Sequence, residues 1–296
     1  MPLWVTFALI GAVITAVVGV LDKMVLSKWM GDPVGSFFVF GVTEGAFGLA
    51  AFFAFGMPTL PVLSALAAMA GGGCFGLSAY FYFRALKVGE VSRLIPLYAL
   101  SPLLIAVFAA IFLGEIFPPI KYLGVALLIV GSLLVSLENF HSFRLGKGTL
   151  WMLASVGIIG VGAVISKSLL AHADPWTIFA YGKFGSALSV MPFIGRGAAA
   201  FIASAKRQGR QLVAAMFLSE ALTSLTTIFF LYASASSYVT LVSAIIATNP
   251  FFLLVFTTLL SLYRPKILKE EFAGNLLVRK VAALILMFVG AGLVSR

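Results

Sequence analysis

Three ionisable side chains stand in the middle of strongly apolar stretches: Glu44, Lys183 and Glu220. A charge at the centre of a bilayer costs about 2.5 to 3.5 kcal/mol on insertion scales, so such residues face a wet cavity or a partner. Phe37, Phe40, Gly41, Phe47 and Gly48 recur around Glu44 at helical spacing. They put the carboxylate on one face with aromatic rings and with glycines that allow close approach. A carboxylate in that setting can bind a proton or a substrate ammonium, or can form a structural ion pair with Lys183. Glu220 is followed on its face by Thr223, Ser224 and Thr227, a polar stripe that continues into Ser234, Ser237, Tyr238, Ser243, Thr248 and Asn249. Single hydroxyls in membrane helices serve as interhelical glue, whereas the whole stripe suits hydrogen bonding to a polar substrate near the midplane. The expected substrate-binding set is therefore Glu44, Phe40, Lys183, Glu220, Thr223, Thr227, Tyr238 and Asn249, with Glu44 and Glu220 also expected to carry protons. Pro102 and Pro250, read as lying inside spans, remove backbone hydrogen bonds and free carbonyls, which makes them candidates for a hinge or gate as well as for plain kinks.

The elements that must position these groups follow from composition. Of the 296 residues 61% are hydrophobic and 10% charged, against about 45 to 50% apolar in soluble domains. A soluble globular protein is excluded. Hydropathy and breakers give ten spans, at about 3 to 21, 34 to 56, 61 to 83, 91 to 113, 119 to 137, 149 to 170, 175 to 194, 211 to 233, 238 to 262 and 277 to 294. Asp32-Pro33, Met57-Pro58, Pro118-Pro119 and Asp174-Pro175 supply turn chemistry between them. Trp4, Trp29, Trp151 and Trp176 fall at span ends, as interfacial anchors do. The run from Leu3 to Leu21 lacks a basic leader region and reads as the first span rather than a removed signal peptide.

Several function classes drop out. The longest stretch without an apolar span, roughly Gly195 to Gln211, is too small for a core of its own, and no Walker, zinc-protease, Cys-x-x-Cys or nucleophile-elbow motif occurs. No nucleotide-driven motor, catalytic domain, metal or other cofactor is expected. Cys74 stands alone, so no intrachain disulfide can form. An intramembrane enzyme would need a paired nucleophile or metal ligands, and the spans hold no His. A non-transporting subunit or scaffold is the remaining rival of another class. The net charge of +10 is better explained by basic cytoplasmic loops than by nucleic-acid binding. Sixteen Lys and Arg fall in the loops after odd-numbered spans, and only Lys121, Lys167 and Arg296 on the other side. The positive-inside rule then places both termini outside the cytoplasm.

The two halves match in order. Leu3-Trp4 pairs with Leu150-Trp151, Lys23 with Lys167, Asp32-Pro33 with Asp174-Pro175, and Ser101-Pro102 with Asn249-Pro250. Val130-Gly131 to Val135-Ser136 pairs with Val289-Gly290 to Val294-Ser295. Five spans per half is an odd number, so the second half must insert upside down, which gives a pseudo-two-fold axis in the membrane plane and the geometry of alternating access.

The run Ala85-Leu86, Gly89, Leu97, Ser101-Pro102 and Leu113-Gly114-Glu115, then Gly124 and Gly131, resembles the EamA repeat of the drug/metabolite transporter superfamily, with a degenerate copy from Ala233 to Gly290. The resemblance implies an all-α integral membrane protein of ten transmembrane helices in two inverted five-helix repeats, residues 1–140 and 148–296. It also implies a central cavity built mainly by the first four spans of each half. Two departures stand out: Leu262-Tyr263 replaces Gly114-Glu115 in the second half, and the family's termini are usually cytoplasmic. The expected function is secondary-active transport of a small polar or zwitterionic metabolite, such as an amino acid, across a bacterial-type cytoplasmic membrane. The resemblance implies export, the driving force is a gradient either of the substrate or of protons titrating Glu44 or Glu220, and the assembly is a monomer or a homodimer. Efflux of hydrophobic organic cations is the alternative within transport.

Overall fold

The computed structural model describes residues 2–25, 29, 32–88, 94, 97–136, 146–253, 255–256 and 275–295. The long connection from Arg264 to Gly274, together with His141 and Arg144, lies outside the described residues, as do the side chains of Lys23, Arg279 and Lys280.

Among the described residues the structure is helical throughout, with no strand. The first half contains α1 (Leu3–Met24), α2 (Pro33–Ala54), α3 (Val62–Val88), α4 (Ser101–Leu113) and α5 (Pro119–Ser136). The second contains α6 (Lys147–Leu169), α7 (Pro175–Leu188), α8 (Ile194–Gln208), α9 (Arg210–Ser236), α10 (Val239–Ile246) and α11 (Asn275–Ser295). Six stretches are long and apolar enough to cross a membrane: α1, α2, α3, α6, residues 175–208, and α9. Four shorter apolar helices, Ser101–Leu113, Pro119–Leu134, Val239–Leu253 and Val281–Ser295, fall on the other four expected spans.

Two sequence expectations need correction. The stretch read as a loop between the seventh and eighth spans is α8, an amphipathic helix whose Phe201 stacks on Phe38 of α2 with ring centroids 6.2 Å apart. Its polar composition hid it, because only one face is apolar. The fourth span of each half is not an unbroken helix. The chain turns at 99–100 and at 247–248, and helix resumes at Ser101 and at Asn249. Pro102 and Pro250 therefore sit in the first turn of a resumed helix, where the missing N–H has no intrahelical partner to lose. They do not interrupt a helix interior.

Asp-Pro pairs start α2 and α7 by the same device. The Asp32 carboxylate accepts from Val34 N–H at 3.0 Å. Asp174 accepts from Trp176 and Thr177 N–H at 2.9 and 3.0 Å, and from the Thr177 hydroxyl. Each proline that follows takes a position where an N–H would be an orphan.

Packing is close where glycines meet. A Cβ at Gly72 would lie 1.8 Å from the Gly182 carbonyl oxygen, and one at Gly185 1.8 Å from that of Met69, so α3 and α7 touch backbone to backbone. A Cβ at Gly290 would sit 2.8 Å from the Gly124 carbonyl oxygen, which locks α11 onto α5. The helix pairs in contact are related by exchange of halves: α3 packs on α6 and α1 on α9; α4 packs on α6 and α1 on α10; α3 packs on α7 and α2 on α9. Further contacts join α2 with α7, α4 with α10 and α5 with α11.

Candidate functional site

Glu44 is twelve residues past the Asp32 cap and Lys183 nine past the Asp174 cap. At a rise of 1.5 Å per residue these are depths of about 18 and 14 Å, deep in their helices. The α2–α7 contact brings the two together, helped by Gly48, where a Cβ would lie 3.1 Å from the Lys183 Cβ. The Lys183 ammonium donates to Glu44 Oε1 and, at 3.0 Å, to Ser224 Oγ of α9. Ser224 Oγ in turn lies 3.3 Å from Glu44 Oε1. The ammonium also stands over the Phe179 ring at 5.0 Å and the Phe75 ring at 5.7 Å from their centroids. Glu44 and Lys183 are 0% and 2% exposed, so the pair is fully withdrawn from solvent and lipid. Its geometry is that of a buried pair stabilised by extra hydrogen bonds and ring faces, as burial requires.

One oxygen of this group is left over. Glu44 Oε2 is buried and has no hydrogen-bond partner among the described residues. One turn before Ser224, Glu220 is buried and within electrostatic reach of Glu44, Lys183 and Asp22. Asp22, near the end of α1, accepts from the Ser219 hydroxyl at 2.6 Å. Glu220 thus links the Glu44–Lys183 pair to a third carboxylate, Asp22. Asp22 was missed in the sequence because it stands at the margin of the first span, next to Lys23, where it reads as an ordinary loop charge. Its hydrogen bond to Ser219, 197 positions away, leaves no local signal.

The remaining expected residues divide. Phe40 stacks on Phe37 and meets Phe75 at a tilt, ring centroids 5.7 Å apart, so it backs the ring that faces the ammonium. Thr223 and Thr227 donate their hydroxyls to the Ser219 and Thr223 carbonyls of their own helix at 2.9 and 3.0 Å. Asn249 is half-buried at the start of the resumed helix beside Pro250. Tyr238 belongs elsewhere. It lines a cavity of about 780 Å³ where α1 begins, α4, α6, α9 and α11 end, and α5 and α10 begin. The polar stripe from Glu220 to Asn249 is thus split between two regions, because α9 spans 27 residues and carries its two ends to opposite ends of the bundle.

This vestibule is lined by Trp4, Glu115, Lys121, Lys167, Ser168, Ser236, Ser237, Tyr238 and apolar neighbours. Gly114, at φ +64°, ends α4 in the left-handed conformation that favours glycine. The next residue, Glu115, reaches the start of α10, where both carboxylate oxygens accept from Val239 N–H, at 3.2 and 3.1 Å. Burial pushes the Glu115 carboxyl above the ordinary range, outweighing the Val239 N–H, the nearby Lys167 charge and the Thr240 N–H, which act the other way. Lys167 donates to the carbonyls of Ser234 and Ser237 at the end of α9, rather than reaching for lipid phosphates. Lys121 reaches the Val294 carbonyl at 3.5 Å. Arg84 likewise lies over Tyr80 and Trp151, 5.7 Å from each ring centroid.

Residues 2–137 match the model of the EamA-like transporter family, part of the drug/metabolite transporter superfamily. An uncharacterized transporter in the cobO 3' region of a Sinorhizobium species is 44% identical over 61 residues, which is 21% of this chain and 43% of that protein's length. A crystal structure of another protein superposes over 98% of this chain and 95% of its own at a TM-score of 0.69 and 18% identity, a likeness of fold. With its apolar helices, the chain is a multi-pass integral membrane protein. The EamA match includes Gly114-Glu115 and Pro102. Among the described residues no group of three or more His, Cys, Asp or Glu is arranged to hold a metal ion.

Proposed function

We propose that the chain is a secondary-active transporter that moves a small polar or zwitterionic metabolite across a bacterial-type cytoplasmic membrane by alternating access, in the direction of export. The observation that carries this reading is the midplane group of Glu44, Lys183 and Ser224, with Glu220 and Asp22 beside it. Three carboxylates against one ammonium leave a surplus of negative charge in apolar surroundings. That surplus is neutralised by protons or by the cationic part of a substrate. Glu44 and Glu220 are the proton carriers in this scheme, and Pro102 and Pro250 the hinge positions. Two units, 1–140 and 148–296, inserted with opposite topology, make up ten spans. Contacts that recur on exchange of halves, and the matching Asp-Pro caps, support that arrangement.

A second reading has its own support. Lys183 is already engaged by Glu44, so the groups left over are acceptors, and Phe37, Phe40, Phe75 and Tyr80 form an aromatic wall next to them. Such a surface suits an organic cation. Uptake into proteoliposomes by purified protein, with labelled amino acids, organic anions and quaternary cations, with and without a pH gradient, tests both. Saturable flux that is lost in Glu220→Gln and responds to the pH gradient supports proton-coupled transport. A cation preference selects the second reading, and no flux of any compound from folded protein overturns both.

A further inference from the structure

The family-like motif Leu113-Gly114-Glu115 has no part in the midplane site, yet its carboxylate is one of the most specifically held in the molecule. Both oxygens of Glu115 converge on the N–H of Val239, the first residue of the eight-residue α10. A helix N-terminus favours anions through its free N–H groups and its dipole. Lys167 lies within electrostatic reach of the same carboxylate, anchored on the carbonyls of Ser234 and Ser237. Two hydroxyls adjoining these groups in sequence, Ser234 Oγ and Thr240 Oγ1, are fully buried and have no partner among the described residues. The vestibule of about 780 Å³ opens on this seat and has Lys121 on its wall, a volume in the range of small-molecule sites. With Glu115 removed, the seat would hold the Lys167 ammonium and a helix N-terminus with no counter-charge.

Glu115 is also free to leave. It follows Gly114, whose left-handed backbone ends α4, and it precedes the start of α5 at Pro119, so its withdrawal breaks no helix. Its partners are backbone and a lysine that keeps two other acceptors.

We propose that the N-terminus of α10 together with Lys167 is a carboxylate-binding site of the vestibule, and that Glu115 is a tethered stand-in which the carboxylate of an organic acid or zwitterionic substrate displaces. This rests on the transport reading and narrows it to substrates that carry a carboxylate. Vestibule capture precedes passage to the midplane, where the acidic group around Glu220 receives the amine of a zwitterion. The degenerate second half has Leu262-Tyr263 at the matching positions, so the device belongs to one face of the membrane only.

Trp4 lines the vestibule and reports on it. In full-length protein carrying Trp29→Phe, Trp151→Phe and Trp176→Phe, reconstituted in nanodiscs, Trp4 fluorescence is titrated with acetate and alanine and with their uncharged-carboxyl counterparts acetamide and alaninamide. Removing the competing carboxylate with Glu115→Ala tightens acetate and alanine binding by about tenfold, the scale of a charge at a helix terminus. Lys167→Met in the same background reverses the gain, and the amides do not change in either. Glu115→Gln, which keeps the side-chain shape and loses the charge, gives a smaller gain and stands in if the alanine variant does not fold. Carboxylate affinity that is unchanged or weaker in both variants, or a gain shared equally by the amides, overturns the proposal and leaves Glu115 as a helix cap. Flux is measured on the same preparations. Carboxylate-selective quenching without flux of any compound would sink the transport reading and spare the seat, whereas flux indifferent to the carboxyl group would do the reverse.

Discussion

Replacing Glu44 by Gln tests whether the buried pair is held as a unit. The Lys183 ammonium has three protons to place, and the structure assigns one to Glu44 Oε1, one to Ser224 Oγ and the remaining direction to the Phe179 and Phe75 faces. With 0% and 2% exposure neither charge has water to fall back on. Removing one partner of such a pair costs about 3 to 5 kcal/mol, most of it the penalty on the charge left behind. Removing both, as in Glu44→Gln with Lys183→Met, takes that stranded charge away and costs much less than the sum. Ser224→Ala deletes one hydrogen bond to a charged group and is expected to cost about 1.5 to 3 kcal/mol. Reversible unfolding in mixed micelles, followed for the wild type, both single variants and the double variant, gives a coupling of at least about 2 kcal/mol if this is right. Additive effects within about 0.5 kcal/mol would show that the two groups are solvated independently, and would refute the buried-pair geometry.

Gly72→Ala places a methyl 1.8 Å from the Gly182 carbonyl oxygen and must push α3 from α7; a loss of about 1 to 3 kcal/mol in thermal unfolding is expected. Gly114→Ala, at φ +64°, is expected to cost about 1 kcal/mol by backbone strain alone, and normal stability would mean the helix ends differently. Pro102→Ala should change stability by less than about 1 kcal/mol, because the proline sits in a first turn; a loss of several kcal/mol would restore the reading of a mid-helix kink. Asp174→Ala should cost about 1 kcal/mol at neutral pH. Burial opposes ionisation of Asp174, but the Thr177 hydroxyl and the Thr177 and Trp176 N–H groups outweigh it and hold the carboxyl below its ordinary 3.8. Its contribution is therefore present above pH 3.8 and is lost as pH falls through the lower folded value, so wild-type and Asp174→Ala unfolding curves should converge in acid.

Much of the architecture was legible in the chain because lipid leaves few choices. Apolar stretches of membrane-crossing length must be helical to satisfy their own backbone, so the positions of the spans could be read directly. The Asp32-Pro33 and Asp174-Pro175 pairs announced helix starts by local chemistry. Gly41 and Gly48 announced close approach beside Glu44, because a missing side chain has few other uses in a membrane helix. Glu44 and Lys183 stood out by the cost of a charge in apolar surroundings, and that cost left a mutual ion pair as one of two readings.

Distance in sequence hid the rest. Asp22 joins Ser219, Glu115 reaches Val239 and Lys167 meets the end of α9 only because helices from the two halves interleave, and none of these contacts leaves a periodic trace. The polar stripe was real as a pattern but was cut in two by the length of α9, which separates Tyr238 from the group around Glu44. Pro102 and Pro250 were equivalent in sequence, yet whether a proline bends a helix or begins one depends on the turn before it. Residue type and spacing determined which groups had to be shielded from lipid. Tertiary structure decided which partner shielded each one, since burial energy names a cost and only the packing of distant helices names the neighbour that offsets it.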